Sequence, residues 1–324
     1  MLGRALKLLA LPAVCTLAMA VSVSADTKFP DRPMTLMVAY GPGGATDFQA
    51  RIATMNAIKE DYLGQPIAII NKPGAGGRVA FNWFKKEAGT DGYALGTYNV
   101  PHFIAQSIEG GVSYSADDFE PIANWGADPA VFIVSKDSKF NTMQEVLDFA
   151  KENPGKFTFS GAGLYVGHHI AALQIQKAAD VKLAYIPNSS GAVGALKSVI
   201  AGEVMGGVNN VSDAFRAQKA GNVKILAIAH LKRSPFLPDV PTMKELGLDI
   251  DNSSVQYRGI MVRKGTSEEH IKFLADRVHK MFQDPNVKDK MEAGGAALEV
   301  MSREEVQEMW KKRQETLKEL LAGL

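Results

Sequence analysis

The chain has 324 residues, with 36 lysines and arginines against 35 aspartates and glutamates and a formal net charge of +1. Such dispersed, balanced charge provides neither the basic surface that nucleic acids require nor one suited to binding a membrane surface. An apolar content of 46% argues against intrinsic disorder, and the length is sufficient for a large core divided between two domains.

The first 25 residues have the pattern of a secretory signal peptide. Arg4 and Lys7 precede an apolar stretch that ends in small residues at positions 23–25, which suit cleavage. We therefore expect the mature chain to begin near Asp26 and the protein to be periplasmic. The alternative, a retained N-terminal anchor, is disfavoured because no long apolar helix follows.

Cys15, the single cysteine of the sequence, lies within this segment. Val14 stands directly before it, where a lipoprotein signal requires a small residue, so lipid attachment is not expected. The mature protein is then expected to have no cysteine and to depend on its core alone for stability.

Short apolar runs alternate with helical patterns along most of the chain. We predict strands at 36–39, 67–70, 93–97, 132–134, 157–160, 182–186, 206–208, 225–229 and 259–262. A helix is predicted from Thr142 to Glu152, because Thr142 and Glu145 form a capping box and Asn153-Pro154-Gly155 ends the pattern. This alternation predicts an α/β fold with mostly parallel strands.

The C-terminal part has a different pattern. Thr266 with Glu269, and Ser302 with Glu305, have the spacing that opens two amphipathic helices. No strand is predicted after them, so we expect the chain to end by packing back onto its first domain. Domain boundaries are predicted near residues 119–124 and 249–254.

Three glycine-rich segments follow predicted strands and precede predicted helices: GPGGATD at 41–47, NKPGAGGR at 71–78 and SGAGLYVGHH at 160–169. Glycine allows backbone N–H groups to approach a ligand closely, and the start of a helix favours negative charge. Two such loops facing each other could bind a carboxylate with micromolar affinity. A single loop of this kind is more often only a turn.

Sequence patterns for catalysis and for cofactors are incomplete. The segment at 74–79 fails the dinucleotide pattern G-x-G-x-x-G because Val79 stands at the third glycine position. Ser160 lacks the G-x-S-x-G elbow, and the six histidines show no zinc-binding spacing. We therefore expect no cofactor, no metal and no catalytic residue. A hydrolase using Ser160 and a nearby histidine is the weaker alternative.

Two further residue types allow more than one interpretation. His168 and His169 are expected to have a structural role or to lie at the rim of a ligand site. Asp47 either caps the first turn of its helix or points into a cleft and accepts a hydrogen bond from a ligand.

Several motifs together resemble the receptors of tripartite tricarboxylate transporters, the Bug-type periplasmic solute-binding proteins. PMTLMVAYGPGGATD at 33–47 resembles the first ligand loop of that family. LGQP at 63–66 with NKPGAGG at 71–77, DGY at 91–93, RSPFLPDVPT at 233–242 and KGT at 264–266 follow in the family's order. The similarity covers essentially the whole mature chain.

The resemblance implies a type II periplasmic-binding-protein fold, in which two α/β domains joined by two crossover strands close on a ligand. It implies a signal peptide at 1–25, a first domain of 26–124 plus 255–324, and a second domain of 125–254. Carried over by position, it assigns the ligand site to Tyr40, Gly43, Gly44, Ala45, Asp47, Thr97, Asn99, Ser160, Gly161, Gly163, Tyr165 and Asn210. The 74–77 glycines are then expected to be structural.

Some residues depart from the family pattern, including PNSSG at 187–191 and YRG at 257–259. Arg258 could pair bidentately with a second carboxylate of the ligand, form an internal salt bridge, or be solvated. The implied function is capture of a small mono-, di- or tricarboxylate by a monomer that delivers it to membrane permease subunits. A receptor that presents its ligand to a sensor is the alternative.

Overall fold

A computed structural model describes residues 29–322 of the chain. The predicted signal peptide and Cys15 lie outside the described residues. The strands are β1 (Met34–Val38), β2 (Ile67–Asn71), β3 (Ala94–Val100), β4 (Phe119–Asp128), β5 (Ala130–Ser135), β6 (Thr158–Gly161), β7 (Ala184–Pro187), β8 (Gly206–Asn210), β9 (Val223–Ala229), β10 (Gln256–Arg263) and β11 (Ala297–Met301). The helices are α1 (Ala45–Ala53), α2 (Arg78–Glu87), α3 (His102–Glu109), α4 (Met143–Glu152), α5 (Gly167–Ala179), α6 (Gly191–Ile200), α7 (Val211–Lys219), α8 (Glu268–Phe282), α9 (Pro285–Ala293) and α10 (Arg303–Ala322).

The strands form two sheets. The six-stranded sheet has the order β11-β4-β10-β3-β1-β2, and the five-stranded sheet has the order β7-β6-β8-β5-β9. We call each sheet with its packed helices a lobe, the six-stranded one first. The expected two-lobe α/β binding-protein fold is thus present, and β4 and β10 carry the chain between the lobes.

The expectation of mostly parallel strands is wrong. β1 pairs in parallel with β2 and β3, and β6 with β7 and β8, but β10 runs antiparallel to β3 and β4. In the second sheet β5 is antiparallel to β8 and β9. The physical reason is that a strand leaving a lobe and a strand returning to it must run in opposite directions.

Each predicted strand overlaps an observed one, and two strands were missed. β4 contains Pro121 and Gly126, which weaken the strand pattern, yet it is almost wholly buried. A Cβ at Gly126 would lie 2.6 Å from the Ala297 carbonyl oxygen, so glycine is required where β11 pairs with β4. β11 lies between α9 and α10, so a strand that the sequence did not predict separates the two predicted C-terminal helices.

The start signals of the helices are mostly as predicted. Thr142 accepts a hydrogen bond from the Glu145 N–H at α4, and Ser302 and Glu305 form a reciprocal capping box at α10. At α8 the cap is Ser267, which accepts from the His270 N–H, rather than Thr266. These caps satisfy N–H groups that the helices themselves cannot.

The division into domains remains a proposal. β4 continues the first sheet to Asp128, beyond the boundary expected at residue 124, and β5 begins the second sheet at Ala130. We therefore propose that the chain first crosses between lobes at Pro129. Within residues 29–322, no helix combines the length and the apolar character needed to cross a bilayer.

Candidate ligand-binding site

A small cavity of about 30 Å³ lies between the two lobes, and we call it the interlobe cavity. It is built mainly from segments that follow β1, β3, β6, β7 and β8, together with β10. Its lining residues are Tyr40, Gly41, Gly44, Ala45, Thr46, Asn99, His102, Ala162, His168, Ser190, Gly191, Ala192, Val193, Asn210, Gln256 and Arg258.

The first lobe contributes the turn after β1 and the start of α1. Gly44 is the N-cap of α1 with an extended backbone (φ −74°, ψ 168°), and Ala45 and Thr46 follow it along the cavity wall. The first N–H groups of a helix have no acceptor within the helix and carry partial positive charge. The Ala45 N–H is donated to Asp213 across the lobes, so the start of α1 presents its remaining partial positive charge to the cavity.

Asp47 holds this turn in place and does not line the cavity. Its carboxylate accepts hydrogen bonds from the Gly43 N–H, the Arg51 guanidinium and the Asn71 amide, which also donates to the Tyr40 carbonyl. Burial alone would raise the pKa of Asp47, but these hydrogen bonds hold it below its ordinary value. The structure thus gives Asp47 neither the expected ligand contact nor a helix-capping bond within α1.

The second lobe contributes the start of α6. Gly191 has φ of 71°, and a Cβ added there would meet nothing within 4 Å, so this position opens onto free space. Ala192 and Val193 continue the wall, and Val193 Cγ2 lies 3.4 Å from the place that a Cβ on Gly44 would take. The amino-terminal ends of α1 and α6 therefore face each other across the cavity.

The α6 residues were not among the predicted ligand residues. The available signal was the NSSGAV segment at 188–193, in which glycine stands between a short strand and an apolar helix. Glycine between a strand and a helix also marks the other glycine-rich segments, but this segment contains only one glycine.

Arg258 on β10 is only 1% exposed and lies at the base of the cavity. Nε donates to Thr46 Oγ1 at 3.2 Å. One terminal nitrogen donates to Asp128 at 2.9 Å and to Gln49 at 3.5 Å, and the other donates to Asn210 at 3.0 Å and to Gln256 at 3.1 Å. The five N–H groups of the guanidinium are thus all engaged within the protein. Of the alternatives for Arg258, the structure shows the internal salt bridge, to Asp128.

Asp128 and Asp213 join the lobes beneath the cavity. Asp128 accepts from Arg258, from Gln49 and from the backbone N–H and hydroxyl of Ser212 at the start of α7. Asp213 pairs with Arg216 and accepts the Ala45 N–H across the lobes at 3.3 Å. Both carboxylates are therefore bonded to groups of the protein itself. These bonds hold the starts of α1 and α7 in place relative to each other.

Three buried side chains that line the cavity have unpartnered nitrogen atoms. They are His102 at Nδ1, His168 at Nε2 and Gln256 at Nε2, and each residue is at most 2% exposed. Buried polar atoms without a partner are rare and costly in proteins. A bound molecule with hydrogen-bonding groups would satisfy them.

Both histidines are neutral at physiological pH. Burial lowers the pKa of His168 to about 4, and the positive charge of Arg258 lowers it further. The neighbouring Asn210 side chain raises this pKa, although it forms no hydrogen bond with His168 Nε2. Burial also lowers the pKa of His102 well below its ordinary value, and His168 and Arg258 act in the same direction. The rim position expected for His168 is consistent with this placement.

Of the residues expected at the site, the structure brings six to the cavity: Tyr40, Gly44, Ala45, Asn99, Asn210 and Arg258. Asn99, with its amide oxygen turned toward the lining residues, accepts from Thr46 and Arg258 and donates to the Tyr98 carbonyl. Asn210 is the N-cap residue of α7 and accepts from Arg258. These two amides position the arginine and Thr46.

The other expected residues lie outside the lining: Gly43, Asp47, Thr97, Ser160, Gly161, Gly163 and Tyr165. The Ser160 hydroxyl donates to the Ile186 carbonyl, and the residue is 1% exposed, so it is not placed to act as a nucleophile. Tyr165 donates to Glu109, and the Gly163 carbonyl accepts from Tyr185. In the turn after β6, Ala162 reaches the cavity lining, whereas Gly163 and Tyr165 are engaged in contacts within the protein.

Comparison with known proteins identifies the family of this chain. The family model described as "Tripartite tricarboxylate transporter family receptor" matches residues 50–322. A curated relative from Cupriavidus necator, "UPF0065 protein in gbd 5'region", is 31% identical over 279 residues, which are 85% of this chain and 81% of the relative.

Solved structures show the same architecture. The periplasmic binding protein BugD is 26% identical with a TM-score of 0.83, covering 91% of this chain and 98% of that one. MatC from Rhodopseudomonas palustris, solved with bound malate, is 25% identical with a TM-score of 0.81, covering 90% of this chain and 99% of that one. Because the family model spans most of the sequence, the chain belongs to the tripartite tricarboxylate transporter receptor family.

Proposed function

We propose that this protein is a periplasmic receptor that binds a small organic carboxylate in the interlobe cavity and delivers it to the membrane permease subunits of a tripartite transporter. The observation that carries the proposal is the opposition of two helix starts, at Gly44–Thr46 and Gly191–Val193, across one cavity. Backbone N–H groups at helix starts bind carboxylates without any side-chain charge.

Domain closure provides the mechanism. The cavity wall consists of segments from both lobes, so a ligand contacts both sets of N–H groups only when the lobes are together. A ligand that binds the closed arrangement better than the open one shifts the population toward it. The permease can then distinguish the loaded from the empty receptor by shape.

The relatives support the ligand class. MatC, whose fold this chain shares, was solved with malate, a carboxylic acid. The family to which the chain belongs is described as a transporter receptor family, which favours delivery to a permease over presentation to a sensor.

A thermal-shift screen of the mature protein against mono-, di- and tricarboxylates, aromatic acids and acidic amino acids tests the proposal, with calorimetry on the hits. We expect at least one acid to raise the melting temperature, since a ligand at 100 times its Kd stabilises the folded state by about 2.7 kcal/mol. Neutral amides of the same acids serve as controls. If no acid binds, or if amide and acid bind equally, the carboxylate function is wrong.

A further inference from the structure

We propose that the interlobe cavity selects monocarboxylates, meaning acids that carry one ionised carboxylate and neutral oxygen groups on the rest of the molecule, over di- and tricarboxylates. This inference rests on the proposed function, because it specifies which carboxylic acids the receptor takes. Three features of the cavity lead to it: the state of Arg258, the balance of charge around it and the chemistry of the unpartnered atoms.

The guanidinium of Arg258 has no donor left for a ligand. All five of its N–H groups donate hydrogen bonds to protein oxygens, and its charge is balanced by the Asp128 carboxylate at 2.9 Å. A second ligand carboxylate could gain a bidentate contact only by breaking this network. Because the network is buried, its loss would leave Asp128 without its cation.

Among the described residues that line the cavity, Arg258 alone carries a full positive charge at neutral pH. His102 and His168 are neutral there. The starts of α1 and α6 add partial positive charge, and at α1 the Asp213 carboxylate that accepts the Ala45 N–H offsets part of it. Since Arg258 is paired with Asp128, no side-chain cation of this lining is left to balance a second ligand carboxylate.

The unpartnered buried atoms point to neutral ligand groups. His168 Nδ1 accepts the Ala162 N–H at 3.1 Å, so the neutral ring carries its proton on Nε2, which is a free donor. The Oε1 atom of Gln256 accepts from Arg258, which leaves the Gln256 amide nitrogen as a second free donor. Hydroxyl, carbonyl or amide oxygens would satisfy these neutral donors without adding charge.

A second ionised carboxylate at the same place would be buried without a cation. Desolvation disfavours such a charge strongly, and neutral N–H donors offset this only in part. We therefore expect a dicarboxylate to bind at least about 100-fold more weakly than the matching monoanion of the same shape, which corresponds to about 2.8 kcal/mol.

Matched pairs of a diacid and its monoamide test the selectivity, since the two differ by one charge at nearly constant shape. Isothermal titration calorimetry of the mature protein would compare succinate with succinamate and adipate with adipamate at pH 7.5. We expect the monoamide of each pair that binds to bind at least about 100-fold tighter than its diacid. A preference below about 10-fold, or tighter binding of the diacid, in each pair that binds overturns the inference and leaves the proposed function standing. Absence of binding by both these acids and the broader acid panel overturns the function as well.

A single substitution sharpens the test. Asp128→Asn removes the counter-ion of Arg258 while keeping an oxygen to accept its hydrogen bond, so the guanidinium gains an unbalanced positive charge. We expect the preference for the monoamide to fall at least about 10-fold or to reverse. Asp284→Asn, the same change in a carboxylate paired with Lys59 at the N-cap of α9, is the control and should leave the ratio unchanged. An unchanged ratio in folded Asp128→Asn overturns the inference.

Discussion

Two turns of the second lobe follow neighbouring strands but are used differently. In the turn after β6, a Cβ on Gly161 would collide with the Tyr185 hydroxyl, and one on Gly163 would lie 3.0 Å from Gly76 Cα. In the turn after β7, a Cβ on Gly191 would meet no atom within 4 Å. A glycine in such a turn allows another group to approach the backbone closely, but only the three-dimensional structure shows whether that group belongs to the protein or to a ligand.

The same distinction applies to the first lobe. The turn at 41–44 opens onto the cavity, whereas Gly76 in the 74–77 segment packs against the turn after β6 of the other lobe. Gln106 and Arg78 donate to the Leu164 carbonyl at this contact. One glycine turn from each lobe thus forms a lobe-to-lobe contact, and one from each forms the wall of the cavity.

The largest expected effect comes from filling the cavity wall. Gly44→Val should reduce carboxylate affinity at least about 1000-fold, or about 4 kcal/mol, because its methyl groups would occupy the space in front of the α1 and α6 N–H groups. Calorimetry with the tightest acid found in the screen measures the loss. Retention of affinity within 10-fold would remove the α1 turn from the site.

Loss of helix capping at Gly44 needs a control, since valine is a poor N-cap residue. Ser267→Val makes a comparable change at the exposed cap of α8, which lies outside the cavity lining. We expect this variant to lose about 1 kcal/mol of stability and to bind the acid normally.

The pH dependence of stability tests the turn after β6. The pKa of His168 is about 4, below the value of about 6.5 in an unfolded chain, so the unfolded state binds more protons between these values. The free energy of unfolding should therefore be highest above pH 6.5 and fall as the pH decreases toward 4, with about 3 kcal/mol from His168 alone. His169 adds to the fall, while Asp213, whose pKa burial raises, opposes it.

Urea unfolding at pH 7 and pH 4.5 measures this fall in the wild type and in His168→Gln. The variant removes one titrating group and should show a shallower dependence on pH. An identical slope in the two proteins would show that His168 is not a buried neutral residue in the folded state.

A smaller effect distinguishes the two turns most clearly. Gly161→Ala should destabilise the fold by about 1–3 kcal/mol through the collision with Tyr185, with little further effect on affinity in the molecules that remain folded. Gly191→Ala should show the reverse, a loss of affinity that exceeds its loss of stability. Thermal unfolding and calorimetry on both variants provide the comparison, and a binding defect confined to Gly161→Ala would reverse the assignment of the turns.

The sequence predicted the architecture well where local rules decide it. Alternation of apolar runs located the strands, and capping boxes such as Ser302 with Glu305 located helix starts, because both depend on neighbouring residues. β4 and β11 were missed because the strands with which they pair are distant in the chain, and Gly126 is required by the close approach of Ala297.

Prediction of the site was less complete for a similar reason. The glycines predicted the turn before α1 as part of the site. The role of Asp47, however, depends on its hydrogen bonds with Arg51 and with Asn71, which lies in β2. The bonding of Arg258 depends on groups from both lobes and both crossings between them. No local sequence pattern shows how many N–H groups of Arg258 already donate hydrogen bonds within the protein.

A crystal structure of the mature protein with its tightest acid tests the central claim most directly. We expect one ligand carboxylate within hydrogen-bond distance of backbone N–H groups from both the 44–46 and the 191–193 segments, with the Arg258–Asp128 pair intact. A carboxylate bound instead against the turn after β6, or paired bidentately with Arg258, would contradict the account.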